Sequence, residues 1–525
     1  MKKNVLSLAV ATSVSALALG SAQLATAQQG TSMYQNHDGK GEVLLFPFYD
    51  AENGNATNMH IVNTTGRVKA VKVRFLEYKA SIEVLDFNLY LSPYDHFAFG
   101  VVMDPNGTGG AVITSDNSCT VPALGSANNG FDGTAVEQAD GSIVRTQPFV
   151  NFEFVRGKYV DQDVARTLRG HVEVIEMGEL SNTPLGFPAT PTQQAEQFAS
   201  FATHDASGSP ANCAGLAAGF VGLGAWAGDA AGAVNTNVSA PAGGLYGLAY
   251  HINVEDAAAW GFEPTAIADW SATAVHALPG DLTPSLSSGN LDSIVVANGV
   301  SYERAYSLGI DAVSSLMMTT TITNDVQLNA AIGGQTDWVT TFPTKRDYVV
   351  TDLAPQIPAL TPFTEPYYGR KLNAAETAFE EVLSCEDVSI RSWNREEVTA
   401  GAGGTSFSPR PPGAAGDEIC DEQHTAAWGT GTDSALNVER GLYNVAFAYT
   451  EGWSRWTFTD VNNFLPVDPE AAGQIAGSGW KGLPAIGFAA YKYANGSAGS
   501  VMMNYGHAAD HKTNTVWSTG ASTGL

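Results

Sequence analysis

Two histidines near the end of the chain, His507 and His511, have the spacing of metal ligands on a helix. They lie in NYGHAADHKT, residues 504–513, with Asp510 between them. Side chains four positions apart share one helical face and could bind a single zinc ion. The order resembles the inverted zinc motif H-x-x-E-H, with the shorter Asp510 in the glutamate position. Since MMNYG before it is typical of a strand and turn, the sequence favours a solvated turn over a metal site, and no cofactor is expected.

Other catalytic motifs are incomplete. The segment NGSAG, residues 495–499, begins with Asn where a nucleophile elbow needs Gly. Gly222 and Gly224 match part of a dinucleotide fingerprint, but they lie in an Ala/Gly-rich run without a preceding strand. Adjacent acids such as Glu380 and Glu381 are expected by chance in a chain with 53 acidic residues. The sequence therefore favours a non-catalytic protein.

One aromatic segment could bind a sugar. YTEGWSRWTF, residues 450–459, carries Trp453 and Trp456. Tryptophan presents a large flat ring with one polar edge, which suits contact with a carbohydrate. Packing in the core is the simpler interpretation and is favoured, but Trp453 and Trp456 remain the candidate ligand platform.

The N-terminus has the pattern of a secretory signal peptide. Lys2 and Lys3 precede an apolar run rich in Ala and Ser, and Ala25-Thr26-Ala27 forms a small-residue cleavage site. We therefore predict a signal peptide over residues 1–27 that is removed on export. No transmembrane segment is expected after this cleavage, because no later apolar run is long enough to span a bilayer.

The chain is strongly acidic, with a formal net charge of -27 at pH 7. Nucleic acids and anionic lipids are poor partners for such a chain, since binding them requires clustered Lys and Arg. The segment DAENGNATN from Asp50 lacks the closing acid of a calcium loop and is interpreted as a turn.

Four cysteines in an exported chain predict two disulfides. Three pairings remain open. We favour the sequential one, Cys119 with Cys213 and Cys385 with Cys420, because the second pair would close a loop rich in Gly and Pro.

Alternating apolar and polar residues predict antiparallel strands in the first part of the chain. Val71, Val73 and Phe75 alternate with Lys72 and Arg74, and similar runs continue through residues 58–102. This pattern indicates half-buried strands. Their spacing predicts a mainly β fold of antiparallel β-sandwich lobes with immunoglobulin-like packing, short helices and long loops.

Composition divides the mature chain into three parts. We predict an N-terminal β-sandwich lobe over residues 28–180, an Ala/Gly-rich insertion with a short helix over 181–242, and a second β lobe over 243–525. Within the second lobe, KLNAAETAFEEVL predicts a helix near residues 371–384. A disulfide-stapled loop over 385–420 and a C-terminal hairpin around Asn495 and Gly496 complete it.

Three stretches carry a resemblance to other proteins: residues 58–102, GHVEVIEMGEL at 170–180 and TDWVTTFPTK at 336–345. They resemble a group of uncharacterised exported β-rich proteins of Gram-negative bacteria. The shared motifs are structural, so the resemblance implies no activity and no site residue.

Together these observations favour an exported, non-catalytic structural, adhesive or matrix protein at the cell surface or in the medium rather than in the periplasm. Self-assembly through edge strands or contact with other surface components would be its mode of action. The alternative is a secreted or periplasmic protein that binds or hydrolyses a polysaccharide, with a glycan as its partner.

Overall fold

The computed structural model describes residues 31–128, 131–183, 197–222, 224–226, 237–351, 360–399, 417–429, 433–458, 460–471, 473–498 and 501–519. The predicted signal peptide, residues 1–27, lies outside these ranges. Strands hold 48% of the described residues and helices 9%, which confirms the mainly β prediction.

The strands of the first half are, in chain order, β1 (Ser32–Gln35), β2 (Val43–Asp50), β3 (Asn55–Asn63), β4 (Val68–Glu77), β5 (Glu83–Leu91), β6 (His96–Met103), β7 (Gly110–Thr114), β8 (Cys119–Val121), β9 (Ala127–Asn128), β10 (Phe131–Asp132), β11 (Thr134–Glu137), β12 (Ile143–Pro148), β13 (Arg169–Leu180), β14 (Val238–Ser239), β15 (Leu245–Asn253), β16 (Ala258–Phe262), β17 (Thr265–Ala268), β18 (Asp292–Ala297) and β19 (Val300–Ala305).

Those of the second half are β20 (Met318–Thr319), β21 (Thr321–Gln327), β22 (Gln335–Thr341), β23 (Tyr368–Leu372), β24 (Phe379–Val382), β25 (Glu386–Asn394), β26 (Asp417–Ile419), β27 (Gln423–Trp428), β28 (Leu442–Val445), β29 (Glu451–Phe458), β30 (Phe464–Pro466), β31 (Gly479–Lys481), β32 (Leu483–Pro484), β33 (Ile486–Ala498), β34 (Val501–Asp510), β35 (Lys512–Thr513) and β36 (Val516–Ser518). The α-helices are short and comprise Phe152–Arg156, Phe198–Ala202, Cys213–Ala218, Gly309–Ser315 and Lys345–Val349. None of the helices in the described ranges has the length and apolar character needed to cross a membrane.

The four largest sheets hold most of the described strands. The largest has the order β19-β18-β1-β17-β2-β13-β4-β5-β8, with β14 paired to β13, and a seven-stranded sheet has the order β11-β12-β7-β6-β3-β15-β16. Two five-stranded sheets follow, β26-β25-β29-β21-β35 and β28-β27-β22-β33-β34. Nearly all neighbours are antiparallel; β1 with β18 and β27 with β28 are parallel.

The two largest sheets pack face to face in a sandwich. Phe75 of β4 lies 5.9 Å from Phe99 of β6, measured between ring centroids, and Phe87 of β5 lies 6.4 Å from Phe97. These rings belong to the main hydrophobic core. The alternation of apolar residues read from the sequence therefore supplies the inner face of the sandwich.

The prediction of half-buried strands was wrong for β4, because its polar face is buried as well. Lys72 forms an ion pair with Asp86 at 2.7 Å, and Arg74 with Glu173 at 2.6 Å. The Lys72 ammonium also donates to the Thr283 carbonyl at 3.2 Å, from a segment that crosses this face. Burial of these charges is tolerated because each has a carboxylate partner.

The first strands after residue 242 belong to the same sheets as the strands before it. The strand β15 pairs with β3, and β17 pairs with β1 and β2, so the boundary predicted near residue 242 does not coincide with a division between sheets. In the predicted insertion, helices Phe198–Ala202 and Cys213–Ala218 form a satellite core around Trp226. The described residues from Thr31 onward form one compact unit.

The prediction of a helix near residues 371–384 was wrong. The segment is a hairpin of β23 and β24. Its turn is closed by the Asn373 side chain, which accepts from the Thr377 amide at 2.9 Å. Glu381 is held extended because it accepts from the Tyr367 hydroxyl at 2.6 Å and pairs with Lys79 at 2.9 Å. Polar contacts with distant residues thus outweigh the apolar spacing of the segment.

The C-terminal hairpin is formed by β33 and β34. Asn495 and Gly496 do not form its turn. They lie inside β33, where the register shifts between Ala494 and Ser497. Residues 499–500, which join the two strands, fall outside the described ranges.

Candidate functional site

The strand β29 directs the two predicted platform tryptophans to opposite faces. Trp456 is fully buried and packs on Trp338 at 5.4 Å between ring centroids. Trp453 lies three positions earlier and points outward, where it is partly exposed. Since side chains alternate along a strand, a single sheet face cannot present both rings. Trp456 is therefore a core residue, and Trp453 alone of the predicted pair faces solvent.

Trp453 has an aromatic neighbour that the sequence interpretation missed. Trp393 of β25 lies directly opposite it. The two indole rings stack with centroids 4.1 Å apart and an interplanar angle of 12°. Both side chains are partly exposed. The pair forms an aromatic ridge on the outer face of the β26-β25-β29-β21-β35 sheet.

The same face carries a row of cations beside this ridge. Arg391 of β25 lies opposite Arg455 of β29, which lies opposite Thr323 of β21, which in turn lies opposite Lys512 of β35. Arg391 and Lys512 are exposed and Arg455 is half-buried. We call Trp393, Trp453, Arg391, Arg455 and Lys512 the aromatic–cationic face.

These cations lack acidic partners in the described part of the chain. No carboxylate oxygen of the described residues forms an ion pair with Arg391, Arg455 or Lys512. The buried cations Lys69, Arg74 and Arg166, by contrast, each have such a partner. The Arg455 guanidinium instead lies 5.3 Å from the centroid of the Trp393 ring. Cation–π contact of this kind orients the guanidinium without neutralising its charge.

Acids are found at the rim of the face. Glu451 pairs with Arg395 at 3.0 Å and accepts from the Asn329 amide at 2.8 Å. Asp325 lies opposite Trp453 on β21, and Asp387 lies at the far end of β25 opposite Glu418. Acidic side chains therefore lie on both sides of the cationic row along the strands, and on one side Asp325 lies next to the tryptophan pair.

The inner side of the same sheet holds the face rigid. The Ser392 and Ser454 hydroxyls are 3.1 Å apart beneath the tryptophan pair. The Trp338 indole donates to the Asp325 carbonyl at 3.2 Å, which fixes β21 to the core. Outer side chains are thus presented by strands whose inner side chains are packed.

Both disulfides have the predicted sequential pairing. Cys119 is joined to Cys213, which ties β8 to a helix of the satellite core, and Cys385 is joined to Cys420. The second disulfide lies at the start of β25 and the end of β26. It therefore fastens the edge of the sheet that carries the aromatic–cationic face.

His507, Asp510 and His511 are not on a helix. His507 is an exposed residue of β34 whose ring stacks on Tyr491, with centroids 4.7 Å apart. His511 follows the strand; its Nε2 donates to the Val339 carbonyl at 2.9 Å and its Nδ1 accepts from the Asn324 amide at 3.3 Å. Burial lowers the pKa of His511 to about 4. Neither nitrogen of this neutral ring has a lone pair left for a metal.

Elsewhere in the described residues, Cys385, Glu418 and Cys420 bring their ligand atoms within 4.8 Å of one another. Since the two sulfurs form a disulfide, they are not thiolates and do not offer metal ligands.

Asp510 and His511 also line a cavity of about 400 Å³. His37, Glu263 and Lys512 lie around it, so both signs of charge are present. This cavity borders the aromatic–cationic face through Lys512, but its walls contain no stacked aromatic pair.

Comparison with known proteins identifies no relative of this chain: no protein-family model, curated protein or solved structure matches it. The sequence did contain a signal for the face. Arg391 and Trp393 form R-x-W, and Trp453 and Arg455 form W-x-R. Two such segments paired antiparallel place Trp beside Trp and Arg beside Arg.

Proposed function

We propose that this protein is an exported, non-catalytic adhesive protein that binds polysaccharide through the aromatic–cationic face. The stacked, outward-facing pair Trp393 and Trp453 is the observation that carries this proposal. Large aromatic side chains on a surface bury much area at low entropic cost and are typical of recognition sites.

The shape of the face supports a polymeric ligand. Small-molecule sites are concave and enclose most of their ligand. The aromatic–cationic face is instead the open side of a sheet, with partly exposed side chains on β21, β25 and β29. An extended chain can lie across several strands and gain contact at each one.

The acids near the ridge support binding without hydrolysis. Glycoside hydrolysis needs two carboxyl groups facing one another across the scissile bond. Beside the tryptophans, Glu451 is engaged by Arg395 and Asn329, which leaves Asp325 as the neighbouring acid. The arrangement of acids therefore favours a protein that binds polysaccharide over one that hydrolyses it.

Export is supported by the signal-like N-terminus and by the two disulfides. Disulfides persist in oxidising compartments, whereas cytosolic thiols are kept reduced. A location at the cell surface or in the medium remains part of the proposal, and protease shaving of intact cells would test it.

Self-assembly through an edge strand receives less support. The strand β19 ends the largest sheet, and its outer side has no partner strand in the described chain. It carries Glu303 and Arg304, and charged side chains on an edge oppose strand addition.

Affinity gel electrophoresis of the purified protein against a panel of soluble polysaccharides tests the proposal. We expect retardation in at least one gel, lost in Trp453→Ala and retained in Tyr246→Ala. Tyr246 is a suitable control because it is an aromatic residue of β15, 38% exposed, on a different sheet. Unchanged migration of the wild-type protein in every gel, or equal retardation of Trp453→Ala, would overturn it.

A further inference from the structure

The unpaired cations of the aromatic–cationic face define the chemistry of the ligand. We propose that the polysaccharide bound there is acidic, a sugar chain bearing carboxylate or sulfate groups that pair with Arg391, Arg455 and Lys512. This inference rests on the proposed function, because it names the class of glycan that the same face binds.

The first argument is the cost of the arrangement. Like charges placed directly opposite one another on neighbouring strands destabilise a sheet. Arg391 and Arg455 are so placed, and no carboxylate of the described residues pairs with either. A bound anion between the two guanidinium groups would convert this repulsion into attraction.

The second argument is the contrast with the rest of the chain. The protein has 53 acidic and only 26 basic residues, for a net charge of -27. Most of its buried cations sit within 4 Å of a carboxylate, as Lys69 does with Glu176 and Arg166 with Glu77. Arg391, Arg455 and Lys512 have no such partner among the described residues, so this row keeps its positive charge in a chain where acids outnumber bases.

The third argument is spacing. Neighbouring strands lie about 4.8 Å apart, so Arg391 and Arg455 are separated by roughly 5 Å and Arg455 and Lys512 by roughly 10 Å along the row. A sugar chain lying across the strands would present its acid groups at intervals along this line. The tryptophan pair lies two residues farther along each strand than the arginine pair, so the ridge runs parallel to the row. It would contact the sugar rings.

Arginine suits this role because its guanidinium donates two parallel hydrogen bonds to a carboxylate or sulfate. The Debye length is about 8 Å at physiological ionic strength. Acids at the margins and elsewhere on the protein are therefore partly screened from a ligand in direct contact with the row. We expect binding that weakens as salt is added.

The test compares polysaccharides that share a backbone and differ in charge. Dextran is paired with dextran sulfate, and methyl-esterified polygalacturonate with polygalacturonate, each immobilised for biolayer interferometry with the full purified chain. We expect the charged member of at least one pair to bind about tenfold or more tighter than its neutral partner. A single-stranded DNA homopolymer serves as a non-sugar polyanion.

Matched variants locate the effect. Arg455→Gln should lower affinity for the charged polysaccharide about tenfold and leave affinity for the neutral partner unchanged. Trp453→Ala should weaken both. Arg156→Gln is the control, since Arg156 is 70% exposed on a helix away from this sheet.

The outcomes separate the two proposals. Equal binding of charged and neutral partners, both lost in Trp453→Ala, would overturn the acidic ligand and leave polysaccharide binding standing. Binding of no polysaccharide would overturn both. Tighter binding of the DNA homopolymer than of either acidic polysaccharide would also overturn this inference. The face would then recognise negative charge and stacking rings in general, and not an acidic sugar chain.

Discussion

Arg391 and Arg455 occupy directly opposite positions on β25 and β29, so two positive charges face each other across neighbouring strands of an exposed sheet. Neither forms an ion pair with a carboxylate of the described residues. Like charges held opposite one another without a neutralising partner cost stability, and such local conflicts are expected at functional sites.

We predict that removing one of these charges stabilises the fold. Arg455→Gln should raise the free energy of unfolding by about 0.2–1 kcal/mol, because it removes repulsion across the strand pair. Urea denaturation at low and high salt measures the change, and the gain should shrink as salt screens the charges. A loss of stability at low salt would mean that Arg455 has a structural role.

Replacing the two tryptophans of β29 should change the free energy of unfolding by different amounts. Trp456→Ala should lower the free energy of unfolding by about 3–5 kcal/mol, because it opens a cavity in the core. Trp453→Ala should cost much less, since its ring is partly exposed. Denaturant curves for both variants, beside the binding assay, measure this. Equal destabilisation by the two changes would contradict the assignment of Trp453 to the outer face.

The carboxyl group of Asp50 should make the protein less stable as pH rises from about 4 to about 8. Burial, reinforced by the Glu52 carboxylate, raises the pKa of Asp50 to about 8. Between its usual pKa near 3.8 and this value the unfolded chain loses the proton and the folded chain keeps it, so rising pH favours unfolding. Above pH 8 the effect levels off.

Asp50→Asn tests this directly. The amide oxygen can still accept from the Glu52 amide and from Asn55, as Oδ1 of Asp50 does at 2.9 and 2.7 Å. Thermal melts across this pH range should therefore show a smaller pH slope for the variant than for the wild type. An identical slope would show that Asp50 is already ionised in the folded protein.

The two disulfides should contribute unequally to the free energy of unfolding. Cys119 and Cys213 are separated by 94 positions and Cys385 and Cys420 by 35. In the chain-entropy account, loops of these lengths correspond to about 4.7 and about 3.8 kcal/mol. Replacing each pair by serine and measuring unfolding in urea should show the larger loss for the longer loop. A larger loss for the shorter loop would mean that local packing, not loop length, governs the contribution.

The sequence predicted the parts of the fold that depend on local pattern. Alternation in β4 and β5 predicted strands correctly, and even cysteine number with loop composition favoured the observed pairing. Burial of both faces of β4 could not be predicted, because Asp86, Glu173 and the segment near Thr283 that neutralise and cover Lys72 and Arg74 come from other parts of the chain.

Only part of the candidate site could be found in the sequence, because its residues come from strands far apart in the chain. The sequence singled out Trp453, which lies on an outer face of its sheet, but its partner Trp393 is 60 positions earlier, and only strand register brings the rings together. Trp456 was included although strand alternation places it on the other face. For residues 371–384, apolar spacing indicated a helix, whereas Glu381 is held in a strand by Lys79, 302 positions away.

The aromatic–cationic face draws on three strands, β25, β29 and β35. The strand β21 lies between β29 and β35, and its contact with the last strands, from Asn324 to Ala509, spans 185 positions. Contacts so distant in sequence require long loops to close before they can form. The ligand surface is therefore absent from a partly folded chain, and capacity to bind becomes a reporter of completed folding. If the face binds polysaccharide as proposed, the chain would acquire that affinity only once these distant segments have met.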